Sequence, residues 1–207
     1  MQHIQNVLRG HATIGLTMAS TDLETRPRSG ADEAFRLARQ AFLAGERIDM
    51  QRLAADLGVN RVTLYRWVGN RARLLGEVAW ALAERTIDLE LERSETRGGE
   101  RIAEVVTGFI EGVRTNEGMR RTVAQEGPVA VRLMTAGEGT VQPRLVEKFR
   151  TILEAEVDSG AFTPTAPLDE IAYALVRVCE ACVYLDLLVD QHPDLDRVAR
   201  MIQAVIH

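Results

Sequence analysis

The chain has 207 residues, 46% of them apolar and 27% charged, and a formal net charge of −5. That length allows a buried core and sits between one large domain and two small ones. No stretch approaches the eighteen or so consecutive apolar residues of a membrane span, and the first residues lack both a basic leader and an apolar run of secretory length, so the expected setting is the cytoplasm, away from membranes. The charge is unevenly placed. Residues 1–85 carry 12 arginines against 9 acids, the remainder 13 cations against 21 acids, and residues 47–73 alone set six arginines against two aspartates. Such asymmetry fits one part that meets a polyanion and another kept soluble by acid.

Residues 1–29 mix Gly, Ser, Thr, Arg and Pro without period and read as an extension. From Ala31 the period becomes helical: Ala34, Phe35, Ala38, Ala41 and Phe42 share a face, and Gly45 ends the run. A second helix starts at Asp49, groups Leu53, Ala54 and Leu57, and stops at Gly58. Asn60 caps a third. Gly69 and Asn70 close that one and open a fourth, which runs through Leu74, Leu75, Val78, Ala79 and Leu82. Beyond Arg93–Gly99 the stripe Ile102, Val105, Val106, Phe109, Ile110 and Val113 continues as one helical segment until Gly127-Pro128 breaks it. Leu145, Phe149, Ile152 and Leu153 make another. Residues 168–189, "LDEIAYALVRVCEACVYLDLLV", are apolar on most of their circumference, and a last helix spans about Leu195 to Ile206 after His192-Pro193. No alternating strand, hairpin signal or internal repeat appears, so the class is all-α.

Two cysteines, Cys179 and Cys182, form a single CxxC. With no second pair, no nearby histidine and no βαβ pattern, they read as small apolar residues of a buried helix rather than zinc or thioredoxin-like chemistry. No cofactor and no metal site is expected.

A helix ending at Gly58, a short link and a helix beginning after Asn60 have the dimensions of a helix-turn-helix. At about 100° per residue, Leu64, Trp67 and Val68 group on the inner side of the second of these helices, while Val62, Tyr65 and Arg66 point outward with Arg61 and Thr63 on the flanks. The outer set suits a major groove. Arginine forks to guanine, threonine bonds a base edge or phosphate, valine touches a thymine methyl, and the Tyr65 hydroxyl donates to a phosphate. Spacing alone leaves open a solvated helix with snorkelling arginines.

The segment Ile48–Val78, "IDMQRLAADLGVNRVTLYRWVGNRARLLGEV", resembles the DNA-binding domain of the TetR family of one-component transcriptional regulators. The resemblance rests on Gly58-Val59, Asn60, Leu64-Tyr65, Trp67, Asn70 and Arg71. It departs from the family pattern at Val68, where Phe is usual, at Arg71, where Lys is usual, and at Ala72, where an acid is usual. The run from Leu64 to Val78 looks most like the branch related to regulators of quorum-signal lactone degradation. The resemblance implies DNA contacts from Asn60, Arg61, Val62, Thr63, Tyr65, Arg66 and Arg71, the last gripping a phosphate at the start of helix four. It also implies three parts: the extension over 1–29, a DNA-binding domain over 30–86, and a helical ligand-binding and dimerisation domain over 87–207. The partners it implies are a double-stranded DNA operator, a small-molecule effector and a second copy of the chain.

In the second domain, Phe109, Phe149, Phe162, Tyr173 and Trp80 are candidate pocket walls. Tyr173, Arg177, Glu180 and Tyr184 lie near one another on the 168–189 segment; an arrangement in which these four orient a polar ligand group competes there with an Arg177–Glu180 pair at a dimer edge. Arg120 and Arg121 read either as partners of an anionic ligand or as a solvated helix start. The excess apolar circumference of residues 168–206 points to a homodimer interface through Leu185, Leu188, Val198 and Ile202. The effector expected is mostly apolar, a lactone or acyl compound. Helix four, joining Arg71 to Trp80 and Leu82, is the expected lever between the domains. A small all-α enzyme is disfavoured by the lack of HExxH, GxSxG, a phosphate-cradling glycine loop or a metal-spaced acid pair. A protein-protein adaptor with a vestigial helix-turn-helix is the remaining alternative.

Overall fold

The computed structural model describes residues 30–127, 141–189 and 194–206, without the side chains of residues 126 and 184–189. Every regular element among the described residues is helical: α1 (Gly30–Leu43), α2 (Met50–Asp56), α3 (Arg61–Val68), α4 (Arg71–Arg93), α5 (Gly98–Thr115), α6 (Glu117–Glu126), α7 (Gln142–Asp158), α8 (Leu168–Val189) and α9 (Leu195–Ile206). No described helix is long and apolar enough to cross a membrane. The 1–29 extension, Pro128 and His192-Pro193 fall outside the described residues.

Short-range chemistry sets most boundaries. The side chain of Asp49 accepts from the Gln51 and Arg52 amides at 2.7 and 3.2 Å, and those two bonds hold its carboxyl below its ordinary range. Asn60 and Asn70 cap α3 and α4 in the same way, each accepting at 2.8 Å from the amide three residues on. α2 closes with Gly58 N–H donating to Ala55 O and Val59 N–H to Ala54 O, both at 3.0 Å. This paired closure needs a left-handed residue, and Gly58 supplies it at φ +64°.

Two apolar cores result. The first gathers Ala34, Ala38 and Phe42 of α1, Leu53 and Ala54 of α2, Leu64 of α3, and Leu74, Leu75 and Val78 of α4. Leu64 is fully buried, so truncation to alanine should cost about 2–5 kcal/mol. The second is built from Ala79, Ala83 and Ile87 of α4 with the inner faces of α5, α7, α8 and α9. α4, about 35 Å long at 1.5 Å per residue, belongs to both. At the far end of the second core, buried Glu156 of α7 accepts from Gly98 N at 2.7 Å and from Arg101 Nη1 at 3.1 Å, while Arg101 Nη2 donates to Leu91 O at 3.1 Å.

The structure corrects one element of the sequence reading. The stretch expected to run unbroken to Gly127 divides at Asn116, whose backbone turns extended (φ −71°, ψ 112°) and whose side chain caps α6 by accepting from Met119 N at 2.9 Å. The break matters to the architecture. α5 stays in the second core, whereas α6 turns Met119 and Val123 into the first.

Candidate nucleic-acid interface and effector cavity

On α3 the inner and outer sides separate as the helical period requires. Leu64 is fully buried, Val68 packs against the first core, and the half-buried Trp67 ring lies over the start of α1, where a methyl group on Gly30 would meet its atoms at 2.2–2.6 Å. Outward, Val62 is 79% exposed and Tyr65 46%, with Arg61 and Arg66 exposed beside them and Thr63 half-buried. A valine so exposed on a rigid helix, flanked by a phenol and guanidinium groups, has the composition of a groove-reading face.

The seven residues expected to meet DNA are not equivalent. Asn60 uses its side-chain oxygen on the Thr63 amide, and Arg61 Nη2 donates to Gln51 Oε1 of α2. Arg66 makes no hydrogen bond or ion pair among the described residues. Arg71 is half-buried and its Nε donates at 2.8 Å to Ile48 O, bracing the start of α4 against the chain just before α2. The Ile48 carbonyl precedes the α2 cap and is served from α4, a contact between segments 23 residues apart that periodicity does not reveal.

Between the two cores lies a cavity of about 50 Å³. Ala79 and Ala83 of α4, Phe109 and Val113 of α5, Met119 of α6, Leu145 of α7, and Cys179, Glu180 and Val183 of α8 line it. Of the expected wall residues, Phe109 is there. Phe149 sits behind it, buried, in an edge-to-face contact with ring centroids 6.0 Å apart. Tyr173 and Arg177 are not in the wall. They lie on the outer side of α8, the guanidinium 4.7 Å from the tyrosine ring centroid, because Leu175, Val176 and Cys179 take the inner face. Phe162 is buried in the second core, and Trp80 is half-buried with the Arg144 guanidinium 5.8 Å from its ring.

The polar group that does reach the cavity is Glu180, 9% exposed, whose Oε2 accepts from Arg177 Nη1 at 2.7 Å. Burial pushes its carboxyl above the ordinary range, with the Arg177 charge opposing. Burial also works against the Arg177 charge, but the adjacent Tyr173 and the Glu180 carboxylate more than offset it and the guanidinium stays protonated. The signal for Glu180 was in the sequence: it is the lone acid within the apolar run "LVRVCEACVYL". Cys179 and Cys182 are buried and unpaired, and burial raises both thiols, so neither is a ready nucleophile. No group of three metal-ligand residues occurs among the described residues.

The expected dimer residues Val198 and Ile202 are 3% and 0% exposed and belong to the protomer's own core. α9 carries one narrow apolar stripe, Val198, Ile202 and Ile206, and spends it on α5 and α8. Leu185 and Leu188 lie where side chains are outside the described residues. The outward faces of the two helices present Tyr173 and Met201, each 47% exposed, with exposed Ala181 and Ala204. Arg121 likewise has a place that the sequence did not indicate: its Nε donates to Glu117 Oε1 at 2.7 Å and its Nη1 to Ala44 O at 3.4 Å, so it joins α6 to the end of α1.

A helix-turn-helix with an exposed basic and aromatic reading face, joined through α4 to a second helical core, has the build of a DNA-binding regulator. Residues 97–207 match the family model described as "Tetracyclin repressor-like, C-terminal domain". The chain is similar over 86% of its length to the TetR-family transcriptional repressor QsdR of R. erythropolis, covering 94% of that chain at 31% identity and a TM-score of 0.78. The chain belongs to the TetR family of transcriptional regulators, which bind DNA and ligands. Two other solved structures share the fold. They are the TetR family repressor AlkX of a Dietzia species, at 22% identity over 87% of this chain and 95% of that one with a TM-score of 0.57, and FadR of Bacillus subtilis in complex with stearoyl-CoA, at 14% over 84% and 96% with a TM-score of 0.55. Among curated proteins there is no match.

Proposed function

We propose that the chain is a homodimeric repressor that holds a palindromic operator through α3 and releases it when a small, mostly apolar effector, a lactone or acyl compound, enters the cavity between the cores. The observation that carries this reading is the double membership of Met119, which lines the cavity and is also buried in the core of the helix-turn-helix domain. An effector site ordinarily measures about 300–1,000 Å³, far above the 50 Å³ present. Binding therefore has to push walls apart. Ala79 and Ala83 are fixed to the backbone of α4, so Met119 and α6 are the parts that give, and α6 is seated on α1. A ligand that fits the expanded cavity favours a different placement of the reading heads, by no more than its difference in affinity for the two states.

The effector class is supported by the apolar lining and by the resemblance of Leu64–Val78 to the branch concerned with quorum-signal lactones. Dimerisation is supported by the outward α8 and α9 faces and by the short reach of one recognition helix, which two copies related by a dyad extend to a palindrome. The test is operator selection from a random DNA pool, followed by competition with lactones and acyl compounds already found to raise the melting temperature. Release by such a compound is expected. Stabilisation by many members of the class with unchanged operator affinity would overturn the coupling.

A further inference from the structure

The cavity is apolar except at Glu180, and the two oxygens of that carboxylate keep different company. Oε2 accepts from Arg177 at 2.7 Å. Oε1 is buried and has no hydrogen-bond partner among the described residues. The orientation is held from outside the cavity: Tyr173 supports the Arg177 guanidinium at 4.7 Å, and Arg177 holds Glu180. A buried carboxylate oxygen left without a donor is costly, and a ligand that brings one recovers that loss on binding.

We infer that Glu180 Oε1 is the polar anchor of the effector site and selects apolar molecules that present a hydrogen-bond donor, a hydroxyl or an amide N–H. This rests on the reading of the cavity as the effector site and narrows the class named there. A free fatty acid would set a second anion against Glu180 in an apolar cavity, where the Arg177 hydrogen bond is already made to Oε2. An unsubstituted lactone offers only acceptors and would leave Oε1 unpaired. Hydroxylated chains and acyl amides, including lactones that carry an amide N–H, satisfy it. The upward push of burial on the Glu180 carboxyl agrees with a site that gains from a donor.

The test uses four probes of one chain length, octanol, octanamide, octanoate and γ-octalactone, with calorimetric binding to the full chain near neutral pH. Octanol and octanamide should bind about tenfold or more tightly than octanoate and the lactone. Glu180→Leu should abolish that preference, chiefly by weakening octanol. Glu180→Gln keeps an acceptor oxygen without the charge, and should retain octanol while admitting octanoate. Octanoate binding as tightly as octanol to the native protein would overturn the inference, whatever the variants do. An octanol-to-octanoate ratio unchanged in Glu180→Gln would overturn it too. If none of the four binds, the cavity is no site for such molecules and the functional reading falls with the inference. Selective binding that leaves the operator held would sink the coupling alone and leave the role of Glu180 standing.

Discussion

Gly118 of α6 lies so close to Phe42 of α1 that a methyl group on it would come within 2.3 Å of the Phe42 carbonyl oxygen. The contact is backbone against backbone and cannot be relieved by a rotamer change. Beside it, Gly45 sits under Arg121, and a methyl there would meet Arg121 Cδ at 2.1 Å. The regulatory domain therefore rests on the DNA-binding domain through the first turns of α6 as well as through α4, the connection that the sequence led one to expect.

Gly118→Ala should force α6 away from α1. Overpacking of this kind costs about 1–3 kcal/mol, read as a lower melting temperature, and the seat through which the cavity reaches the reading heads would be altered. The expected result is a protein that still binds effector by calorimetry but whose operator affinity responds less to it. Full retention of the response would show that α4 alone carries the signal.

Operator binding should weaken steeply with salt, by a log–log slope of about 0.9 per neutralised phosphate. Arg66→Ala should cost about 1–3 kcal/mol on the operator and far less on random DNA, because that side chain stands exposed without an internal partner among the described residues. Arg71→Ala should behave differently: loss of its bond to Ile48 O should lower the melting temperature of the free protein. Anisotropy titrations and thermal melts separate the two patterns.

Ala83→Val would place two further methyl groups against the cavity. Filling of that sort commonly adds about 0.5–2 kcal/mol of stability, and here it should also blunt the response to effector. A variant that gained stability yet kept its native effector affinity would place the effector elsewhere.

Glu156→Ala would leave Arg101 and the Gly98 amide without their buried acceptor. Leaving a buried donor without its acceptor costs about 1–3 kcal/mol, so chemical denaturation should show a clear loss. Glu156→Gln, which keeps an acceptor, should lose less.

Met201→Glu and Ala181→Arg place charges on the outward faces of α9 and α8 and should yield folded monomers in sedimentation with weakened operator binding. Dimers that persist in both variants would move the interface to another surface. Val198→Ala, by contrast, should lower stability and leave the oligomeric state unchanged, since that side chain is buried within its own protomer.

Periodicity and capping are properties of neighbouring residues, so the sequence by itself determined the all-helical class, the helix-turn-helix and the outward set Val62, Tyr65 and Arg66. The break at Asn116 was within its reach, as an asparagine followed by Glu117 and Gly118 is a capping signal, but the apolar stripe before it masked the stop. Other decisions belonged to the tertiary structure. A hydrophobic stripe says which side of a helix avoids water and not what covers it: α9 could have offered Val198 and Ile202 to a partner, and it buries them against α5 and α8. α8 is apolar over most of its circumference, so its pattern could not say whether Arg177 or Glu180 turned inward; packing of Leu175, Val176 and Cys179 set Glu180 at the cavity and Tyr173 outside. Nor could local chemistry place Met119 in the wall of one domain and the core of the other, because that position depends on where α6 lands on α1, a contact between parts of the chain more than seventy residues apart.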